Sequence, residues 1–161
     1  MTVFAISGHR PEKMKPGIRV DIERLITEEL VKHDDPYVIQ GMAAGVDLWA
    51  ARAAFRADIP FECAIPFKGH EPRKDFGVRY DYEQALKYAD KITYVTDYEK
   101  YPGAFVYELR NRYMIDNADL LIAVYNGSPG GTRNAVEYVW SHRHIGICKI
   151  NPDTLEVGPI G

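Results

Sequence analysis

Apolar positions along this chain switch between short continuous runs and stripes with helical spacing. Val3 to Ser7, Tyr37 to Gln40, Phe61 to Ile65 and Leu120 to Tyr125 are continuous runs, each followed closely by glycine or proline. Runs this short and this apolar read as strands buried on both faces. Lys91 to Thr96 and Gly146 to Ile150 are further strand candidates. Between them, Ile18, Ile22, Leu25, Ile26 and Leu30 form the stripe of an amphipathic helix. An Ala-rich helix over 46–57 follows, with Val46, Trp49, Ala50, Ala53 and Ala54 on one face and Trp49 assigned to the core. Tyr82, Ala85, Leu86 and Ala89 mark another helix, after a polar stretch from Phe67 to Gly77. Helices over 104–117 and 132–143 complete the set, and the residues after Ile150 read as a Pro/Gly-containing tail.

Strands alternating with helices predict a mostly parallel sheet covered on both faces. Right-handed crossovers make it a Rossmann-like three-layer α/β/α sandwich of about six strands. The whole chain, 1–161, reads as one domain of ordinary size.

Composition narrows the function. Apolar residues are 46% and charged residues 27%, which suits a globular core. No apolar run approaches the roughly 20 residues that cross a bilayer. The opening residues lack a basic leader and read as a strand, so a cytoplasmic location is expected and no membrane partner. The net charge of −3 argues against a protein that coats duplex DNA, so nucleic acid is not the expected partner. Cys63 and Cys148 lie in apolar segments without CxxC spacing and read as free thiols. His142-x-His144 has no third ligand nearby, so neither a metal nor a cofactor is expected. His33 and His70 suggest no role.

The glycines are more telling. Ser7-Gly8-His9-Arg10 follows the first strand, and Gly41-Met42-Ala43-Ala44-Gly45 the second. Asn126-Gly127-Ser128-Pro129-Gly130-Gly131-Thr132 follows the fifth. In a parallel sheet all three turns emerge at the carboxyl edge, where open α/β folds bind ligands. Uncapped helix amides there suit phosphate. Neither GxGxxG nor GxxxxGK[ST] is present, which speaks against ordinary dehydrogenase and P-loop readings.

These blocks resemble the YpsA-like family of the SLOG superfamily. The resemblance rests on Ile6-Ser7-Gly8-His9-Arg10-Pro11, on Gly41 to Ala51 and on Ala64-Ile65-Pro66-Phe67-Lys68-Gly69. It continues through Arg110-Asn111-Arg112-Tyr113-Met114, Ala118-Asp119 and the Asn126 to Thr132 turn. The superfamily includes the DprA and "Lonely guy" (LOG) groups, and the likeness implies a Rossmann-like fold that binds nucleotides or nucleotide-derived signals. It also implies a homodimer. LOG enzymes cleave the N-glycosidic bond of nucleoside monophosphates, and their pattern pairs an Arg-Lys helix with PGGxGTxxE. Arg110 matches the arginine, while Asn111 stands where the lysine would be. The glycine motif is two residues shorter, and the catalytic glutamate position holds Ala135. Glu137 is two residues further, about 200° around a helix, and points elsewhere. Asp47 or Glu71 substitutes only if the ligand sits differently.

The expected partner is therefore a nucleotide-derived small molecule, sensed or sequestered. The alternatives are a LOG-like phosphoribohydrolase and a DprA-like module for single-stranded nucleic acid. The expected ligand-binding residues are Gly8, His9, Arg10, Gly41, Met42, Ala43, Gly45, Asp47, Arg110, Asn111, Gly127, Ser128, Pro129, Gly130, Gly131 and Thr132. Within that set, Arg110 reads either as a phosphate-facing guanidinium or as a surface ion-pair partner. Asn111 reads as a ligand contact or a brace. His9 and Arg10 read as ligand contacts or a solvated turn. Asp47 reads as a ribose contact or a residue matched to the helix dipole. Arg133 is a weaker candidate for an anion. Tyr98, Tyr101 and Tyr107 flank the loop before the Arg110 helix and suit base stacking, a subunit contact or plain packing.

Overall fold

The computed structural model describes residues 1–161. Strand β1 (Thr2–Gly8) leads through a 3-10 turn (Pro11–Lys13) to α1 (Arg19–Leu30). Then come β2 (Pro36–Gln40), α2 (Val46–Arg56), β3 (Phe61–Ile65), α3 (Phe76–Tyr88) and β4 (Lys91–Tyr94). The chain continues with α4 (Phe105–Asp116), β5 (Leu120–Val124), α5 (Gly131–Tyr138), β6 (Gly146–Ile150) and β7 (Val157–Ile160). The strands form one sheet in the order β4-β3-β2-β1-β5-β6-β7. The first six run parallel, and β7 pairs antiparallel with β6.

Period-two alternation sorts the strand residues onto two helical layers. Phe4, Ile6, Val38, Cys63 and Ile122 face a core shared with α1, α2 and α3. Ala5, Ile39, Ala64, Leu121 and Ala123 face a smaller core shared with α4 and α5. The small residues on this second face let α4 and α5 settle close to the strands. The fold is thus the expected Rossmann-like sandwich, with three differences of detail.

The tail is not irregular. Val157 to Ile160 adds a seventh strand at the sheet edge, where Pro159 is tolerated because an edge strand needs donors on one side only. α5 ends at Tyr138 and passes into a π-turn, Val139–Arg143, closed by His144 in the left-handed region. Trp49 is only partly buried, with the Arg19 guanidinium 5.9 Å from its ring centroid. Cys63 and Cys148 are both free thiols. No helix is long and apolar enough to cross a membrane.

Strand order reverses direction at β1 and β5. The connection from β1 runs to β2 on one side, while β5 continues to β6 on the other, which opens a crevice beyond their carboxyl ends. The turn leaving β2 is shaped from inside. Gln40 is fully buried, and its Oε1 accepts the Met42 N–H at 2.7 Å while its Nε2 faces Met42 Sδ and Cys63 Sγ at 3.2 Å. This holds Met42 at φ +65° with its side chain in the core.

Replacing Gln40 with Leu strands the buried Met42 amide. Urea denaturation of Gln40→Leu is expected to show a loss of about 1–3 kcal/mol in folding stability. An unchanged midpoint and slope would contradict this account of the turn.

Candidate functional site

Arg110 is the centre of the crevice. It sits on α4 one turn before Met114, which anchors the same helix face in the core, and only 8% of its surface is exposed. Its Nη1 donates to the Gly41 carbonyl at 3.1 Å. Its Nε and Nη2 donate to Asn111 Oδ1 at 3.3 and 3.2 Å. Three of the five guanidinium N–H groups are thereby used. No ion pair includes Arg110. The guanidinium lies tight against Gly41, where a Cβ would stand 2.7 Å from Nε and 3.0 Å from Asp47 Oδ2. Glycine is required there by that close approach.

Asp47, in the first turn of α2, is buried too, and its Oδ2 accepts the Ala43 N–H at 3.3 Å. Burial pushes its carboxyl up, against the pull of Arg110 and the Ala43 and Gly41 amides. Burial likewise draws Arg110 down, and Asp47 holds it up. The two charges face one another without an ion-pair contact, so each is poised for a polar group placed between or beside them.

A cavity of about 310 Å³ opens over this pair. Gly8, His9 and Arg10 come to it from the end of β1, Ala43 and Asp47 from the β2 turn, and Asn111 from α4. Gly131 and Thr132 supply the N-terminus of α5, which no side chain caps. Its N-cap, Gly130, has φ +149°, a conformation that favours glycine. Thr132 Oγ1 meets Ser7 Oγ at 3.1 Å and ties α5 to β1. Gly131 and Thr132, in the first turn of α5, thus line the cavity at the positive end of the helix dipole.

Other expected residues do different work. The Met42 and Ala43 amides are taken by Gln40 and Asp47, so the Gly41–Gly45 turn positions side chains and does not offer these two N–H groups. Gly45 packs against Pro11 and the His9 carbonyl. Asn111 braces Arg110, and the His9 imidazole accepts the Asn126 N–H at 3.2 Å. Gly127, Ser128, Pro129 and Gly130 lie outside the cavity lining. Ser128 N–H closes on Asn126 Oδ1, and the Pro129 carbonyl accepts Lys13 Nζ at 3.2 Å. Arg133 turns to Glu137 at 3.2 Å, and His142 stacks on Tyr138. Ala135 is buried in the smaller core.

A second compartment of about 220 Å³ adjoins the first and shares Arg10, Ala43, Tyr107 and Arg110 with it. Its lining comes from the loop after β3, with Phe67, His70, Glu71 and Arg73, together with Tyr101. Sequence reasoning passed over Lys13 and His70. Lys13 carries no local signal, since only the 3-10 turn brings it to the cavity. His70 lies within the polar stretch from Phe67 to Gly77, where no pattern in the sequence gives it a role. An apolar cleft of about 270 Å³ between α2 and α3 lies apart from this groove and shares no lining residue with it.

Fold and crevice together define a Rossmann-like α/β protein with a candidate site at the carboxyl edge of its sheet. The sequence profile described as the YspA SLOG family matches residues 1–151, and the chain belongs to that family. It is 31% identical over 157 residues to the uncharacterized SPbeta prophage-derived protein YoqJ of Bacillus subtilis, covering 88% of this chain and 89% of YoqJ. DNA processing protein A (DprA) from Streptococcus pneumoniae has the same fold, with a TM-score of 0.70 at 15% identity over 94% of this chain. This chain spans half of that protein's length. DprA from Helicobacter pylori, described for its single-stranded DNA binding mode, matches with a TM-score of 0.65 at 17% identity. That match covers 86% of this chain and 60% of the Helicobacter protein.

His70 gives the groove a pH signature. Burial, reinforced by Arg110 and Arg10, lowers its imidazole from 6.5 to about 4. Between those values the unfolded chain takes up a proton that the folded chain refuses. The corresponding stability is complete above pH 6.5 and is lost as pH falls toward 4. His70→Gln is expected to flatten that part of the stability–pH curve relative to the parent, measured by urea denaturation at each pH. Parallel curves would contradict the assignment.

Proposed function

We propose that this protein binds a nucleotide or nucleotide-derived small molecule in the crevice beyond β1 and β5, as a cytoplasmic sensor or sequestering protein. The observation that carries the reading is Arg110, a buried guanidinium with two N–H groups left over and no carboxylate in contact. A phosphate satisfies it. The fork matches an anion's oxygens, and the uncapped start of α5 lines the same cavity. Arg10 and Lys13 add positive charge at the rim, and Asp47 suits a ribose hydroxyl.

Binding without turnover fits the loss of the LOG-type glutamate, which leaves Asp47 as the one carboxylate of this cavity's lining. Glycosidic cleavage needs a carboxylate beside the developing oxocarbenium ion. Position 135 is a buried alanine, and Glu137 is engaged with Arg133 at the surface. Single-stranded nucleic acid is the second reading. The acidic overall balance argued against it, yet the groove rim is locally basic and a structural neighbour is described as binding single-stranded DNA.

Thermal unfolding with AMP, ADP-ribose, NAD, cyclic nucleotides and a short single-stranded oligonucleotide tests both. At least one mononucleotide or dinucleotide is expected to stabilise the protein, by about 2.7 kcal/mol at a hundredfold excess over Kd. Arg110→Lys keeps the charge but loses the fork, and is expected to weaken that ligand by roughly tenfold or more. Stabilisation by the oligonucleotide alone favours the second reading. No stabilisation by any ligand, or equal binding by Arg110→Lys, contradicts the proposal.

A further inference from the structure

The second compartment is built unlike the first. Three aromatic rings line it, with Phe67 and Tyr101 centroids 6.0 Å apart and Tyr101 and Tyr107 centroids 5.9 Å apart. Tyr107 also carries the Arg110 guanidinium 5.5 Å from its ring centroid, so one ring bridges the charged and the aromatic halves of the groove. Rings of this kind present faces on which a flat heterocycle stacks.

The compartment also holds one polar group with a defined role. His70 Nδ1 lies 2.9 Å from the Tyr82 hydroxyl, and that hydroxyl donates to the His70 carbonyl at 3.3 Å. A phenol has one proton. Both contacts are satisfied together only when the hydroxyl donates to the carbonyl and accepts from Nδ1–H, and we assign this tautomer, which leaves Nε2 as a bare acceptor with no protein partner. Burial and the two neighbouring arginines keep the ring neutral, so this lone pair persists at neutral pH.

We infer that the second compartment reads the base of the bound nucleotide: Phe67, Tyr101 and Tyr107 stack a nucleobase, and His70 Nε2 accepts a hydrogen bond from an exocyclic amine on it. The inference rests on the nucleotide reading of the adjoining cavity and adds a specificity-determining residue, His70, to it. The ligand class becomes nucleoside phosphates with an aminated base. The sugar spans the boundary at Arg10 and Tyr107, which both compartments share.

Calorimetric titration with three probes tests this: AMP, purine riboside 5′-monophosphate, which lacks only the amine, and ribose 5-phosphate, which lacks the base. The parent protein is expected to bind AMP up to about tenfold more tightly than purine riboside monophosphate. It is expected to bind ribose 5-phosphate at least about fivefold more weakly again. His70→Phe closes the first gap, and His70→Gln, whose amide oxygen still accepts, restores part of it. Tyr101→Ala narrows the second gap. Unchanged affinity of each variant for ribose 5-phosphate shows that the phosphate cavity is intact. The inference is overturned if ribose 5-phosphate binds as tightly as AMP, or if the preference for the amine survives in His70→Phe. In either case the phosphate reading still stands. Failure of all three probes to bind removes the phosphate reading as well.

Discussion

A guanidinium wrapped around a glycine organises this molecule's carboxyl edge. Taking a charge out of water costs several kcal/mol unless hydrogen bonds and opposite charge replace the solvent. Arg110 recovers part of that from the Gly41 carbonyl and Asn111, and part from Asp47 at longer range. What remains is a guanidinium with two N–H groups free of protein acceptors, held in place by helix α4 and by the packing of Met114 beneath it, and the proposed anion site rests on it. The neighbouring elements follow from its position. Gly41 lacks a side chain because one would collide with the arginine. Gln40 pins the turn that presents Gly41, and Asp47 is carried in by the first turn of α2.

The groove then divides by chemistry along its length. One end offers the start of α5, Lys13 and Arg10 to negative charge, and the other offers rings and a neutral imidazole to a flat heterocycle. Tyr107 and Arg110 belong to both. Such an arrangement suits the proposed ligand, a molecule with an anionic end and an aromatic end, which is the general form of a nucleotide.

Much of the scaffold was legible in the chain. Continuous runs such as Phe61–Ile65 and Leu120–Val124 can be read as buried strands because parallel strands need apolar residues on both faces. The strand β7 was not legible, since Val157-Gly158-Pro159-Ile160 has neither alternation nor a run, and its pairing with β6 alone supports it. The site was legible in part. Glycines after three parallel strands located the edge, and the family likeness singled out Arg110. Burial of Arg110 and Asp47 was not legible, because it depends on how tightly two helices approach one glycine. Nor was the capture of the Met42 and Ala43 amides by Gln40 and Asp47, which takes these two N–H groups up inside the protein. His70 and Lys13 reach the groove only through tertiary folding of a long loop and a 3-10 turn.

The central claim is that one anion-accepting cavity joins Arg110 to the start of α5. Two-dimensional NMR of the isotope-labelled protein during titration with AMP tests it most directly. The account predicts that the Arg110 Nε–H and the backbone amides of Gly131, Thr132 and Arg133 move together and saturate at one common Kd. The largest changes falling instead in the α2–α3 cleft around Phe55 and Tyr88, or no change at Arg110 and α5 at all, would contradict it.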